Sequence, residues 1–212
     1  MDSTFARQLM QPPRLLLRRL LAYNGCGRMP QDRYQDLAGT ALLQSLQTRP
    51  DLCASLTLPG SAWYDFAQPH NRMVLLSEEV VERWARYLGA CFWAPQLIRL
   101  IERSEIFAVR EAIGEECRHF ALGRGRLIMS QKLRACLVDP DAQVEPREIP
   151  ITGYTVLRTL SELATSGYRR EFPLTVRPML QEFSKEQQGV LWDLAVKVLC
   201  QEVDSSCLDI FS

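Results

Sequence analysis

Two histidines, His70 and His119, are the only side chains of this chain whose unperturbed charge changes near neutral pH. Seven cysteines, at 26, 53, 91, 117, 136, 200 and 207, supply the nucleophile that such a histidine would serve. Cys117 and His119 stand two apart, which on a helix turns their side chains to different faces, although a Cys/His pair can also form across a fold. No local signature of a thiol enzyme surrounds any of these residues. No two cysteines form a C-x-x-C pair and their spacings match no zinc framework, so the expectation is small buried thiols, no metal and no cofactor. Gly123-Arg124-Gly125-Arg126 lacks the lysine and hydroxyl of a phosphate loop and follows a helical pattern, so it reads as a helix stop. Glu78-Glu79 and Glu115-Glu116 are helix neighbours that do not converge and read as solvated faces. No acidic cluster has the spacing of a calcium loop. No residue takes a catalytic role, and the chain is expected not to be an enzyme.

The elements that position these groups belong to a chain of 212 residues with 25 Lys+Arg, 25 Asp+Glu and 47% hydrophobic residues. That length suits one domain with a sizeable core. The ordinary composition sets aside disordered, collagen-like and coiled-coil classes. A formal charge of zero argues against a nucleic-acid binder, whose domain is strongly basic. Leu15-Leu16-Leu17 runs straight into Arg18-Arg19 and no basic n-region precedes it, so no signal peptide is read. No window holds the 18 or so apolar residues that cross a bilayer, so a cytoplasmic protein without membrane insertion is expected. Of the basic residues only Lys132, Lys185 and Lys197 are lysines, a bias that carries no functional weight by itself.

Helical periodicity dominates and strand-type alternation is scarce. A first helix opens at Pro12-Pro13, with Leu16, Leu17, Leu20 and Leu21 on one stripe, and Asp32 to Gln47 reads as a second. Residues 50–75 read as an irregular, packed-down loop punctuated by Pro59-Gly60 and Pro69. Ser77 caps a helix with Val80, Val81, Trp84, Leu88 and Cys91 inward. Pro95 is expected to restart a turn carrying Leu97, Ile98 and Ile101. Ser104 then caps a helix from Glu105 to about Leu122, broken by Gly123 and Gly125, and Leu127 to Leu137 forms a shorter one. Asp139 to Thr152, with three prolines, is the best linker, and Thr152 starts a helix with Val156, Leu157, Leu160 and Leu163 inward, ending at Gly167. Phe172-Pro173 turns into a short helix near Pro178–Phe183. Ser184-Lys185-Glu186-Gln187 is a capping box that opens a terminal helix with Val190, Leu191, Leu194, Val198 and Leu199 buried. The result is an all-α single domain over 1–212 of about eight helices, in which 1–75 packs on a core of 76–212.

Charge is split between the ends. Residues 1–28 carry five arginines against Asp2, while 182–212 carry six acidic residues against Lys185 and Lys197. Complementary partners can be steered to such opposed ends, which can equally solvate or pair with each other.

Three stretches resemble the SctK family, the accessory protein of the bacterial type III secretion sorting platform, in its YscK and OrgA branches. One is Gly153-Tyr154 followed through Leu157 and Leu160 to Arg170-Glu171-Phe172-Pro173-Leu174. Another runs from Tyr87-Leu88-Gly89 through Ile113-Gly114 to Phe120, and the third is the tail from Lys197-Val198 to Cys207 and Phe211. The resemblance covers about two thirds of the chain, from about residue 77 onward. It implies a cytosolic helical adaptor at the cytoplasmic face of the bacterial inner membrane. Such an adaptor joins the cytoplasmic domain of the SctD ring protein to the pod protein SctQ, and through it to SctL and the SctN ATPase. Together with the charge split, it points to Arg14, Arg18 and Arg19 for one partner contact and to Glu186 and Asp193 for the other. Another helical secretion adaptor or chaperone, a Cys/His thiol enzyme and a nucleic-acid binder are the alternative readings.

Overall fold

The computed structural model describes residues 66, 68–165, 170, 172, 176 and 183–211. Helices α1 (Glu78–Arg99), α2 (Arg103–Ile113), α3 (Glu115–Phe120), α4 (Gln131–Arg134), α5 (Glu148–Ser161), α6 (Lys185–Val198) and α7 (Leu208–Phe211) account for most of them, and no strand occurs among the described residues. The fold is all-α. The two predicted N-terminal helices, the 50–65 loop, Gly167 and the predicted 178–183 helix except Phe183 lie outside the described residues. No helix among the described residues is long and apolar enough to cross a membrane.

Backbone proximity divides the chain into two units, 1–75 with 208–212, and 76–207. In the first, Pro69–Leu75 winds into a three-ten helix where the prolines predict irregular chain. Arg72 is almost wholly buried there and donates from Nε to the Phe66 carbonyl (2.8 Å) and from Nη1 to the Ile210 carbonyl of α7 (2.6 Å). Charge-assisted bonds of this kind offset much of the cost of removing a guanidinium from water. Burial nonetheless lowers the Arg72 pKa to about 10.

The second unit is built on α1. Its start is local chemistry: the Ser77 hydroxyl accepts from the Val80 amide, and Glu78 and Glu79 lie at the positive end of the helix dipole. Every residue from Tyr87 to Ala94 is buried, so the middle of α1 is enclosed on all sides and not along one stripe. The run Leu88-Gly-Ala-Cys-Phe-Trp-Ala94 is the sequence counterpart of that enclosure.

Helix α5 lies against α1 with backbones in contact. A methyl group built on Gly89 would sit 1.8 Å from the Ile149 carbonyl oxygen, and one on Gly153 would sit 1.8 Å from that of Ala85. Each glycine therefore faces the turn that precedes the other. The seam is pinned beside them by Trp93, whose indole donates to the Thr152 hydroxyl (2.9 Å), which itself donates to the Glu148 carbonyl (2.8 Å). Helix α6 closes the other side: the Trp84 indole donates to the Ala195 carbonyl at 2.8 Å.

Four expectations are corrected. Pro95 does not end α1, which runs on to Arg99. A proline there leaves the Cys91 carbonyl without its i+4 amide, and the Arg134 Nε donates to that oxygen instead (2.9 Å). The same guanidinium reaches the Gly125 and Arg126 carbonyls. The predicted Glu105–Leu122 helix is two helices divided at Gly114, whose φ of 85° and ψ of 156° belong to a region essentially reserved for glycine. It starts at Arg103, with no side-chain cap. Residues Ala121–Gly125, predicted to break the chain, continue α3 as a wide π turn. The Asp139–Thr152 stretch lies within one unit, and α5 begins at Glu148 with Pro150 in its first turn, where a proline is tolerated.

Smaller differences follow the same logic. The predicted Leu127–Leu137 helix shortens to α4, capped by the Ser130 hydroxyl on the Leu133 amide. Val190, expected inside, is 54% exposed. The capping box of α6 forms in full: the Gln187 amide donates to Ser184 Oγ (3.2 Å) and the Ser184 amide to Gln187 Oε1 (2.8 Å).

Candidate functional site

Helix α3 is the short element with a cleft at each end. The cleft at its start, of about 290 Å³, is lined by Arg83, Arg86, Tyr87, Glu115, Glu116 and Cys117 among others. Gly114 stands in its lining, and the backbone break there separates α2 from α3 just before Glu115. Glu115 then receives Arg110 of α2, Arg118 at 3.3 Å and His119 at 3.1 Å. Glu116 pairs with Arg83 at 3.5 Å, and the Arg83 guanidinium stands 5.7 Å from the centre of the Tyr87 ring. The Arg86 Nε is buried without a hydrogen-bond partner among the described residues, while its terminal nitrogen lies 3.5 Å from Glu82.

Glu115 and Glu116 do not converge, as expected: their carboxylates meet different partners. Glu115 becomes a hub because the break at Gly114 brings two helices to it. Arg110 and His119 are substantially exposed, so their contacts contribute little to stability and mainly fix side-chain geometry, while Arg118 is the more covered partner.

Cys117 and His119 are separated as their spacing predicts: Cys117 is buried while the His119 side chain is 70% exposed and bound to Glu115. Burial pushes the Cys117 thiol up to about 12 against the partial opposition of Arg86 and Arg83. Burial also raises the Cys91 thiol, and it takes that of Cys200 to about 11, with Asp204 adding to the shift. The attacking species in thiol chemistry is the thiolate, so these three sulfurs are neutral and unreactive near pH 7. His70 is held neutral to lower pH than usual by burial. Among the described residues no three His, Cys, Asp or Glu side chains group as metal ligands.

The cleft at the far end of α3 is different in kind. It measures about 230 Å³ and has Phe120, Leu127, Ile128 and Val198 as its apolar wall, with Arg124, Lys197 and Glu202 at its edge. Both helices that border it end in π turns, Ala121–Gly125 after α3 and Leu199–Val203 after α6. Arg124 and Glu202, one from each π turn, pair at 2.9 Å across it.

Of the residues assigned to partner contacts, Glu186 and Asp193 are exposed on α6. They stand seven apart, with the exposed Gly189 and Val190 between them and the exposed Lys197 one turn further, so the outer face of α6 runs from acidic to basic. Arg14, Arg18 and Arg19 lie outside the described residues. Sequence reasoning passes over Arg83, Arg110, Arg118 and Leu127. Their signal is weak, because what unites them is the turn at Gly114 and the meeting of two helix ends.

No family model, no curated protein and no solved structure matches this chain.

Proposed function

We propose that this chain is an adaptor of the SctK type. In this reading it works at the cytoplasmic face of the inner membrane and joins the cytoplasmic domain of an SctD-type ring protein to the pod protein SctQ, hence to SctL and the SctN ATPase. Recognition by surfaces, and no reaction, is its activity. One observation carries the reading: the residues that bear the resemblance are joints of the fold. Gly89 and Gly153 form the α1–α5 seam, and Gly114 makes the α2–α3 break. Tyr87 packs on Phe120 with ring centres 5.2 Å apart, and Tyr154 meets Phe172 edge-on at 6.4 Å. Arg170 donates to the Leu76 carbonyl at 2.7 Å and pairs with Glu78. Residues scattered over more than ninety positions are thus one structural set, as residues that jointly specify a fold are.

The burial of Cys91, Cys117 and Cys200 favours this reading over a thiol enzyme acting at those positions, and the exposed Glu186 and Asp193 of α6 give a partner a surface to meet. The test is co-expression of the full chain with SctQ and with the SctD cytoplasmic domain of the same genome. A complex with each is expected on size exclusion. The double variant Glu186→Lys/Asp193→Lys weakens one of them, and Arg18→Glu/Arg19→Glu weakens the other. Co-elution with neither partner overturns the proposal.

A further inference from the structure

We infer that the groove between the two π turns docks an acidic segment of a protein partner through one bulky apolar side chain flanked by carboxylates. The inference rests on this geometry alone and holds whether or not the secretion reading does.

Size is the first argument. At about 230 Å³ the groove is smaller than the roughly 300 Å³ at which small-molecule pockets begin, and suits a single anchoring side chain. Its lining is the second. Leu127 is 76% exposed beside a wall of Phe120, Ile128 and Val198, so an apolar surface stands open next to a depression of matching character. Charge decides the occupant. The Glu202 side chain is only 11% exposed and is covered by Arg124, which is 71% exposed. Lys197 is exposed and has no ionic partner among the described residues. What the groove presents outward is therefore cationic around an apolar floor. An apolar anchor with neighbouring Asp or Glu satisfies both, and a basic segment is repelled. The π turns are an independent pointer, since such turns concentrate at functional sites. Here two of them, from different helices, face one groove.

The test is selection of a random peptide library displayed on phage against the full chain, followed by synthesis of the enriched peptides. The expected peptides carry a Leu, Met, Phe or Trp with at least two acidic residues close by. Their affinity falls about tenfold or more in Leu127→Asp and severalfold in Lys197→Glu, weakens with added salt, and is unchanged in Ile101→Asp, which alters an exposed apolar residue away from the groove. All three positions are exposed, and unchanged circular-dichroism melts establish that the variants fold. The inference is overturned if nothing is enriched, if the enriched peptides lack acidic residues, or if they bind Leu127→Asp and Lys197→Glu as tightly as the parent. It is overturned equally if Leu127→Asp dissociates a dimer of the parent chain, which would make a second copy the occupant.

Discussion

The α1–α5 seam and the flanks of α3 show two ways for helices to meet. At the seam, glycines bring backbone against carbonyl oxygen, and the polar contact alongside is a fully partnered Trp–Thr pair. Around α3, contact is made by long side chains: arginines on carboxylates, a guanidinium over a ring, and clefts left between them. Backbone contact has no slack, because a carbonyl cannot rotate away as a side chain can. The seam is where this fold is specified, and the α3 flanks are where it can vary and bind.

The sharpest way to break that contrast is a single methyl group. Gly153→Ala should cost about 3 kcal/mol or more in urea denaturation, because relieving a 1.8 Å approach requires the two helices to separate. A loss under about 1 kcal/mol would mean that the seam yields like a side-chain interface. Next comes Arg134→Met, which leaves the Cys91 carbonyl with no donor and should cost about 1.5–3 kcal/mol. In a Pro95→Ala background, where position 95 regains a backbone amide that can reach the Cys91 carbonyl, the same substitution should cost measurably less. A double-mutant cycle with no coupling would remove the role given to Arg134.

A pH series sharpens the comparison from the solvent side. The Cys117 thiol is held near 12 in the fold against an ordinary value near 9, so the unfolded chain releases its proton first. Stability from this burial is complete below pH 9 and falls as pH rises toward 12, by about 1 kcal/mol at pH 10. Cys117→Ala, whatever it costs in packing, should flatten the slope of stability measured from pH 8 to pH 10. The smallest effect is expected at the hub of this cluster: Glu115→Gln should change stability by less than about 1 kcal/mol, although it disturbs the contacts to Arg110, Arg118 and His119. A larger loss would move the α3 flank into the same class as the seam.

How much of this is legible in advance depends on the range of the interaction. The caps at Ser77 and Ser184 are legible because donor and acceptor lie within three residues. So are the buried positions Val156, Leu157 and Leu160, which repeat at helical period. Pro95 misleads, because its consequence depends on whether a donor from another element reaches Cys91, and Arg134 is 39 positions further along the chain. Gly114 and the Gly123/Gly125 pair exchange roles for a similar reason. Glycine permits a break without requiring one, and the packing of α3 decides which glycine bends.

The sequence alone therefore determined the all-α class, the capped starts at Ser77 and Ser184 and the inward stripe of α5, all set by forces acting over one or two turns. Only the tertiary structure decided that the middle of α1 is enclosed, that Gly89 and Gly153 meet, that Arg134 reaches the Cys91 carbonyl and that two π turns border one groove. These depend on which distant residues share a volume, and periodicity along a chain carries no record of that.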